Sequence, residues 1–180
     1  RYLARDGTPL RHLLDENGNR SAPPVTFAEI PQPLVHALLA AEDKRFFSHS
    51  GIDLLAIARA ARDNTRSGHV VSGASTIHQQ LIKNAKPRAW SRTLWVKIVE
   101  ALQARHLAMQ WSREEVFAAY ANRIPFGNLM IGAATAASGY FHKPLGDLTP
   151  AECALLAALP QSPARLNPFR NLEAVLRRQR

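Results

Sequence analysis

The chain has 180 residues, 46% of them hydrophobic and 21% charged, which is enough for a real core and too apolar for a disordered segment. Its 23 Lys and Arg outweigh 14 Asp and Glu, giving a net charge of +9, and a surplus of that size implies an anionic partner: nucleic acid, an anionic membrane surface or a phosphorylated substrate. The lone cysteine, Cys153, excludes an internal disulfide, and no ligand cluster suits structural zinc.

Residues 2 to 20 alternate short apolar runs with the turn dipeptides Asp6-Gly7 and Asn17-Gly18, which predicts a small β element. Pro23, Pro24, Pro31 and Pro33 then mark a linker. We therefore divide the chain into an N-terminal hairpin and Pro-rich linker, 1–33, and a helical domain, 34–180. From Leu34 the signals are helical. Thr76-x-x-Gln79, Ser112-x-x-Glu115 and Thr149-Pro150-Ala151-Glu152 fit the capping box, the last with Pro at the first helical position. Ser91 is the expected N-cap of a long helix to about Gln110, with an apolar stripe of Leu94, Trp95, Ile98, Val99 and Leu102. Cys153 lies within the apolar run Ala151 to Leu159 and reads as a small buried hydrophobe. No run is long enough to span a bilayer. Both ends, Arg1-Tyr2-Leu3 and Arg177-Arg178-Gln179-Arg180, read as cuts within a longer protein. The class is mainly α with a minor β piece.

Four constellations carry possible chemistry. The first, Glu42-Asp43-Lys44-Arg45-Phe46-Phe47-Ser48-His49-Ser50-Gly51, puts two acids where a helix runs out into a loop. A carboxylate there can be partly desolvated yet reach a cleft, and so serve as general base or acid. A solvated helix end explains the same residues. The second runs from Gly73 through Ser75, Thr76, His78, Gln79, Gln80 and Lys83 to Asn84. Loop amides at a helix N-terminus favour anions, and Gln80, Lys83 and Asn84 share one face. An ordinary capped surface helix is the alternative. The third is Lys97 with Glu100, a pair open to substrate beside Ala101 and Ala104, or a plain i,i+3 ion pair. In the fourth, Tyr120 to Gly127, Asn122 reads as architectural, hydrogen-bonding a loop backbone. His49 reads as structural, bonded to a carboxylate or to backbone.

In this order the motifs Glu42-Asp43-x-x-Phe46-x-x-His49-x-Gly51, Gly73-x-Ser75-Thr76-x-x-Gln79-Gln80-x-x-Lys83-Asn84, Lys97-x-x-Glu100 and Tyr120-x-Asn122 with Phe126-Gly127 closely resemble the peptidoglycan glycosyltransferase domain. That is glycosyltransferase family 51 of class A penicillin-binding proteins and their monofunctional relatives. Asn122 to Gly127, Leu159 to Leu166 and Asp6 to Leu10 look most like the C subtype.

The resemblance implies a lysozyme-like α lobe and a smaller, membrane-facing lobe between about Ile52 and Ser91, whose helix with Leu54, Leu55, Ile57, Ala58 and Ala61 either touches lipid or packs on the main lobe. It implies polymerisation of lipid II into β-1,4 glycan strands, with inversion and release of undecaprenyl pyrophosphate. Glu42 matches the catalytic base. Glu100 matches the second acid, thought to act at the leaving group or on a divalent metal, Mg or Mn; no organic cofactor is implied. Asp43, Phe46, His49 and Gly51 match residues that shape the first motif. Ser75, Thr76, Gln79, Gln80 and Asn84 match donor-side contacts, and Lys83 and Lys97 match cations near the pyrophosphate. Asn122 falls among the implied substrate-binding positions. Implied partners are lipid II, the growing glycan on undecaprenyl pyrophosphate, the membrane surface and other cell-wall synthesis proteins, with no nucleic acid. The implied location is the extracytoplasmic face of the bacterial plasma membrane, with an anchor upstream and a transpeptidase domain as a candidate downstream.

Three positions depart from the family pattern: Val96 stands where an Arg is usual, with Arg88 or Arg92 as possible replacements; His78 stands for Thr and should flank the cleft; His142 stands where Gly is common. Two rival functions remain. A lysozyme-like hydrolase would not need Lys83 and Lys97, and a non-enzymatic basic module would cluster its cations on one face.

Overall fold

The computed structural model describes residues 2–3, 9–11, 14–15, 18–67, 74–85, 93–161, 166–169 and 171–179. Its elements run β1 (Tyr2–Leu3), β2 (Pro9–Arg11), β3 (Arg20–Ser21), α1 (Gln32–Glu42), α2 (Leu54–Ser67), α3 (Ile77–Asn84), α4 (Leu94–Gln110), α5 (Arg113–Arg123), β4 (Pro125–Gly127), β5 (Met130–Ile131), α6 (Ala133–Phe141), α7 (Pro150–Ala158) and α8 (Leu172–Gln179). The mainly α class, with a minor β part, is as the sequence predicts. The chain falls into two compact units: 1–38 with 121–180, and 39–120. The second contains the span 52–91 expected for the smaller lobe.

In the first unit β1 pairs antiparallel with β2. Asp6-Gly7 lies outside the described residues, as does Asn17. Gly18, at φ +76°, completes a turn in which its N–H donates to the Asp15 carbonyl at 2.9 Å. The N-terminal β element is more than a hairpin, because β3 pairs in parallel with β5, which pairs antiparallel with β4. Parallel pairing joins segments far apart in sequence, so no local turn signal announces it. Asn128 and Leu129 connect β4 to β5 with φ of 49° and 60°, the two-positive-φ geometry of a tight hairpin. Leu34, Val35, Leu38, Ile124, Phe126, Met130, Leu156 and Leu159 are buried, and α7 packs against α6 and α8. Thr149 caps α7 in a capping box with Glu152, and Pro150 takes the first helical position. Cys153 is fully buried there; burial, and then the Glu152 charge, raise its thiol pKa. His142 closes α6 in the left-handed conformation, φ 55° and ψ 32°. A glycine suits that position best, which explains why Gly is expected there.

In the second unit α3 packs on α4. Thr93, not Ser91, caps α4, its side chain accepting from the Val96 N–H at 3.3 Å; Ser91 lies outside the described residues. Of the expected stripe on α4, Trp95 (68%), Leu102 (63%) and Ile98 face solvent rather than a core and Val99 is half-buried; Met109 is exposed as well. On α2 the same is true of Leu54 (73%), Leu55 (59%), Ile57, Ala58 and Ala61, whereas Ala60 is buried. No helix among the described residues is long and apolar enough to cross a membrane.

Candidate active site

Glu42 is the last residue of α1. One more helical bond, from the Asp43 N–H to the Leu39 carbonyl at 2.9 Å, precedes a tight turn through residues 44–48. The turn inverts the usual exposure of charge by burying Asp43. A buried carboxylate must be fully bonded, and this one is. His49 Nε2 lies 3.0 Å from both of its oxygens, so that nitrogen carries the proton. The Ile77 N–H donates to Asp43 Oδ2 at 3.0 Å. Ile77 opens α3, so Asp43 accepts from an amide that has no partner within its own helix and sits at the favourable end of the dipole. Thr76 adds a second tie: its hydroxyl donates to the Gly51 carbonyl at 2.7 Å and accepts from the Gln79 N–H, while the Gln79 side chain accepts from the Thr76 N–H at 2.9 Å. Gly51 has φ +88°, and a Cβ there would stand 2.4 Å from the Ala104 carbonyl oxygen. Glycine is what lets this loop lie against α4.

The first two motifs therefore meet. Gln80 Nε2, one turn into α3, donates to Glu42 Oε2 at 2.8 Å. The half-buried Glu42 lines a cavity of about 140 Å³ together with Asp43, Lys44, Arg59, Ser75 and Thr76. A carboxylate at the edge of a small polar cavity, oriented by an amide and backed by a buried acid, is placed to take a proton from a bound hydroxyl.

Beneath it lies an aromatic knot. The Phe46 ring centroid is 5.1 Å from His78, 6.4 Å from His49 and 6.1 Å from Phe117. His78 is 1% exposed, so it does not flank the cleft as expected; the apolar side of α3 carries it inward with Ile77 and Leu81. Burial, and then the positive field of His49, lower its pKa to about 4. Tyr120 is fully buried, and its hydroxyl makes no hydrogen bond among the described residues. Burial, reinforced by the Glu42 and Asp43 charges, drives its pKa up, so the phenol stays neutral. Arg113 clamps the loop from α5, Nη1 donating to the Phe46 and His49 carbonyls at 2.6 and 2.7 Å. Sequence reading passes over Arg113. One signal was available: a cation in the first turn of a helix opposes the dipole and so needs a tertiary reason.

The remaining predicted residues separate. Ser75 is exposed at the cavity rim, and Lys83 and Asn84 are exposed on α3. Lys97 is exposed on α4 and Glu100 half-buried, with no ion pair between them among the described residues. Asp43, His49, Thr76 and Gln79 bond and Phe46 packs within the protein, with Asp43 and Thr76 at the wall of the cavity. Asn122 lies in the other unit, where its amide accepts from the Val25 N–H at 2.9 Å and donates to the Val25 carbonyl at 2.8 Å. Those bonds are the architectural role the residue suggests. Gly73, Arg88 and Arg92 lie outside the described residues. Among the described residues no three His, Cys, Asp or Glu side chains gather in one place.

The model of a family described as Transglycosylase matches residues 6–180. Penicillin-binding protein 1A of Pseudomonas aeruginosa (strain ATCC 15692) is 41% identical over 162 residues, which are 88% of this chain and 19% of that protein. Penicillin-binding protein 1A of Aquifex aeolicus (strain VF5) is 43% identical over 155 residues, 86% of this chain and 21% of that protein. The namesake in Neisseria gonorrhoeae is 43% identical over 152 residues, 84% of this chain and 19% of that protein. The chain thus spans 19% to 21% of the length of these relatives. These matches establish the family and not the subtype. With a match over 6–180 and relatives above 40% identity covering most of its length, the chain belongs to the transglycosylase family and is a peptidoglycan glycosyltransferase domain.

Proposed function

We propose that this glycosyltransferase domain extends glycan strands from lipid II, with Glu42 as the base. In that reaction the 4-hydroxyl of the incoming lipid II sugar attacks the anomeric carbon of the growing chain. The proton passes to the Glu42 carboxylate as the new C–O bond forms. The bond from the anomeric carbon to the pyrophosphate oxygen breaks on the opposite face, so the configuration inverts and undecaprenyl pyrophosphate leaves with the electron pair. Lys83 and Lys97 are the cations proposed for the leaving pyrophosphate, where charge develops, and Glu100 is proposed to act beside them. Gln80 is proposed to orient Glu42, because its amide donates to one oxygen of the carboxylate and so fixes the direction of the side chain.

The observation that carries this reading is the 2.8 Å bond between Gln80 and Glu42 at the edge of one small cavity. The domain is proposed to work at the extracytoplasmic membrane face, with the exposed apolar residues of α2 and α4 against lipid and the +9 charge favouring its anionic surface. The test is lipid II polymerisation by wild type and Glu42→Gln. The expected result is a loss of about 100-fold or more, the usual contribution of a general base. Full rate in the variant overturns the assignment of Glu42. Release of soluble fragments from finished peptidoglycan, with no polymerisation, would support hydrolysis instead.

A further inference from the structure

A second cavity, of about 320 Å³, opens where the first-motif loop meets α2. It shares Arg45 and Asp53, and no other residue, with the cavity at Glu42. Its lining joins polar and cationic residues, Arg45, Ser48, His49, Ser50 and Arg113, to the apolar Ile52, Leu54 and Leu55. Leu54 and Leu55 are 73% and 59% exposed, and Ile57, one turn along α2, is exposed as well.

The charges do not cancel. Asp53 is buried and lies 3.5 Å from Arg45, and its Oδ1 accepts from the Ala56 N–H at 2.9 Å, capping α2. Arg113 bonds two backbone carbonyls, which orient the guanidinium without neutralising it. Arg105 reaches the rim, its Nη1 donating to Ser50 Oγ at 2.9 Å. Two guanidiniums thus line the cavity and a third bonds one of its serines, against one lining carboxylate. Guanidinium forks match phosphate oxygens, and serine hydroxyls supply further donors. A soluble anion would gain nothing from the leucines, and an apolar peptide nothing from the arginines. A ligand with a phosphate joined to hydrocarbon uses both.

We infer that this cavity takes the phosphate headgroup of an anionic phospholipid, whose acyl chain lies along Leu54, Leu55 and Ile57. The inference rests on the membrane contact proposed above and is independent of Glu42. Bound there, a lipid would seat the first-motif loop at the headgroup level, with the start of α2 dipping below it.

The test is sedimentation of the chain with vesicles of phosphatidylcholine alone and of phosphatidylcholine mixed with phosphatidylglycerol. Wild type should favour the anionic vesicles. Arg45→Gln should lower that preference by about tenfold or more, as expected for losing a charge-assisted contact. Ser48→Glu, on an exposed turn where it disturbs no side-chain bond described above, should do the same. Arg66→Gln, exposed at the far end of α2, should cost no more than the roughly fivefold expected of any surface cation near a charged bilayer. Pocket variants no weaker than Arg66→Gln overturn the inference. So does full competition by soluble glycerol phosphate, which would mark a free-anion site. A raised KM for lipid II in detergent, with vesicle binding intact, would assign the cavity to substrate and also overturn it. If wild type binds neither vesicle, the membrane contact falls with it, while lipid II polymerisation in detergent still judges the Glu42 reading.

Discussion

Helices α3 and α4 pack on each other, yet they use apolar side chains in opposite ways. The shorter, α3, has 8 residues and buries Ile77, His78 and Leu81. It is tied at its first turn to Asp43, Gly51 and Glu42. The longer, α4, has 17 residues. It buries Ala104 against the Gly51 loop but leaves Trp95, Ile98, Leu102 and Met109 exposed. Apolar content therefore does not rank the two. What fixes α3 is a set of bonds to its N-terminus. What α4 offers the unit is a small residue and a carbonyl at one point of close approach.

Breaking that point should have the largest effect. Gly51→Ala adds a Cβ 2.4 Å from the Ala104 carbonyl at a positive φ, and we expect a loss of about 3 kcal/mol or more in thermal or urea unfolding. Wild-type stability in the variant would mean that α4 is not held there. The next effect sharpens the role of α3. The buried His78 has a pKa of about 4, below its ordinary 6.5. Above pH 6.5 the ring is neutral whether folded or unfolded, so it contributes no pH dependence. Between 6.5 and 4 the unfolded chain takes up the proton first, and stability falls with pH by about 1 kcal/mol per unit. Urea unfolding across that range should show the fall in wild type and a shallower one in His78→Leu; identical slopes would refute it. The smallest expected effect is on α4: Leu102→Ser should change stability by no more than about 0.5 kcal/mol, whereas Leu81→Ala on α3 should cost about 2 kcal/mol or more. A large loss from Leu102→Ser would show that its face is core after all.

These contrasts mark what could be read from sequence. Capping boxes at Thr76 and Thr149 were legible because the signal is local, three residues long and chemically reciprocal. Placing Glu42 at a helix end was legible for the same reason. The stripe on α4 was legible as a shared face, since periodicity says which residues lie together. It does not say what they face, and the stripe meets solvent. The pairing of β3 with β5 and the clamp by Arg113 join residues about a hundred and about sixty-five positions apart, beyond any window of pattern. His78 misled because a polar residue beside a motif suggests a cleft, whereas its place on the apolar side of α3 already pointed inward. Asn122 shows the reverse case: the local reading, an amide fixing a loop, matches its bonds to Val25.

Cys153 is the only sulfur nucleophile in the chain, and it is sealed in α7 with its thiol pKa raised. Thiolate is the reactive form, so this side chain should stay silent toward disulfide exchange and maleimides. This chain should therefore behave chemically as though it were cysteine-free. A thiol introduced at Ser48 or Leu102 would be the sole labelling site on the native background, and a fluorophore or spin probe there would report its depth in a bilayer without any change to the core.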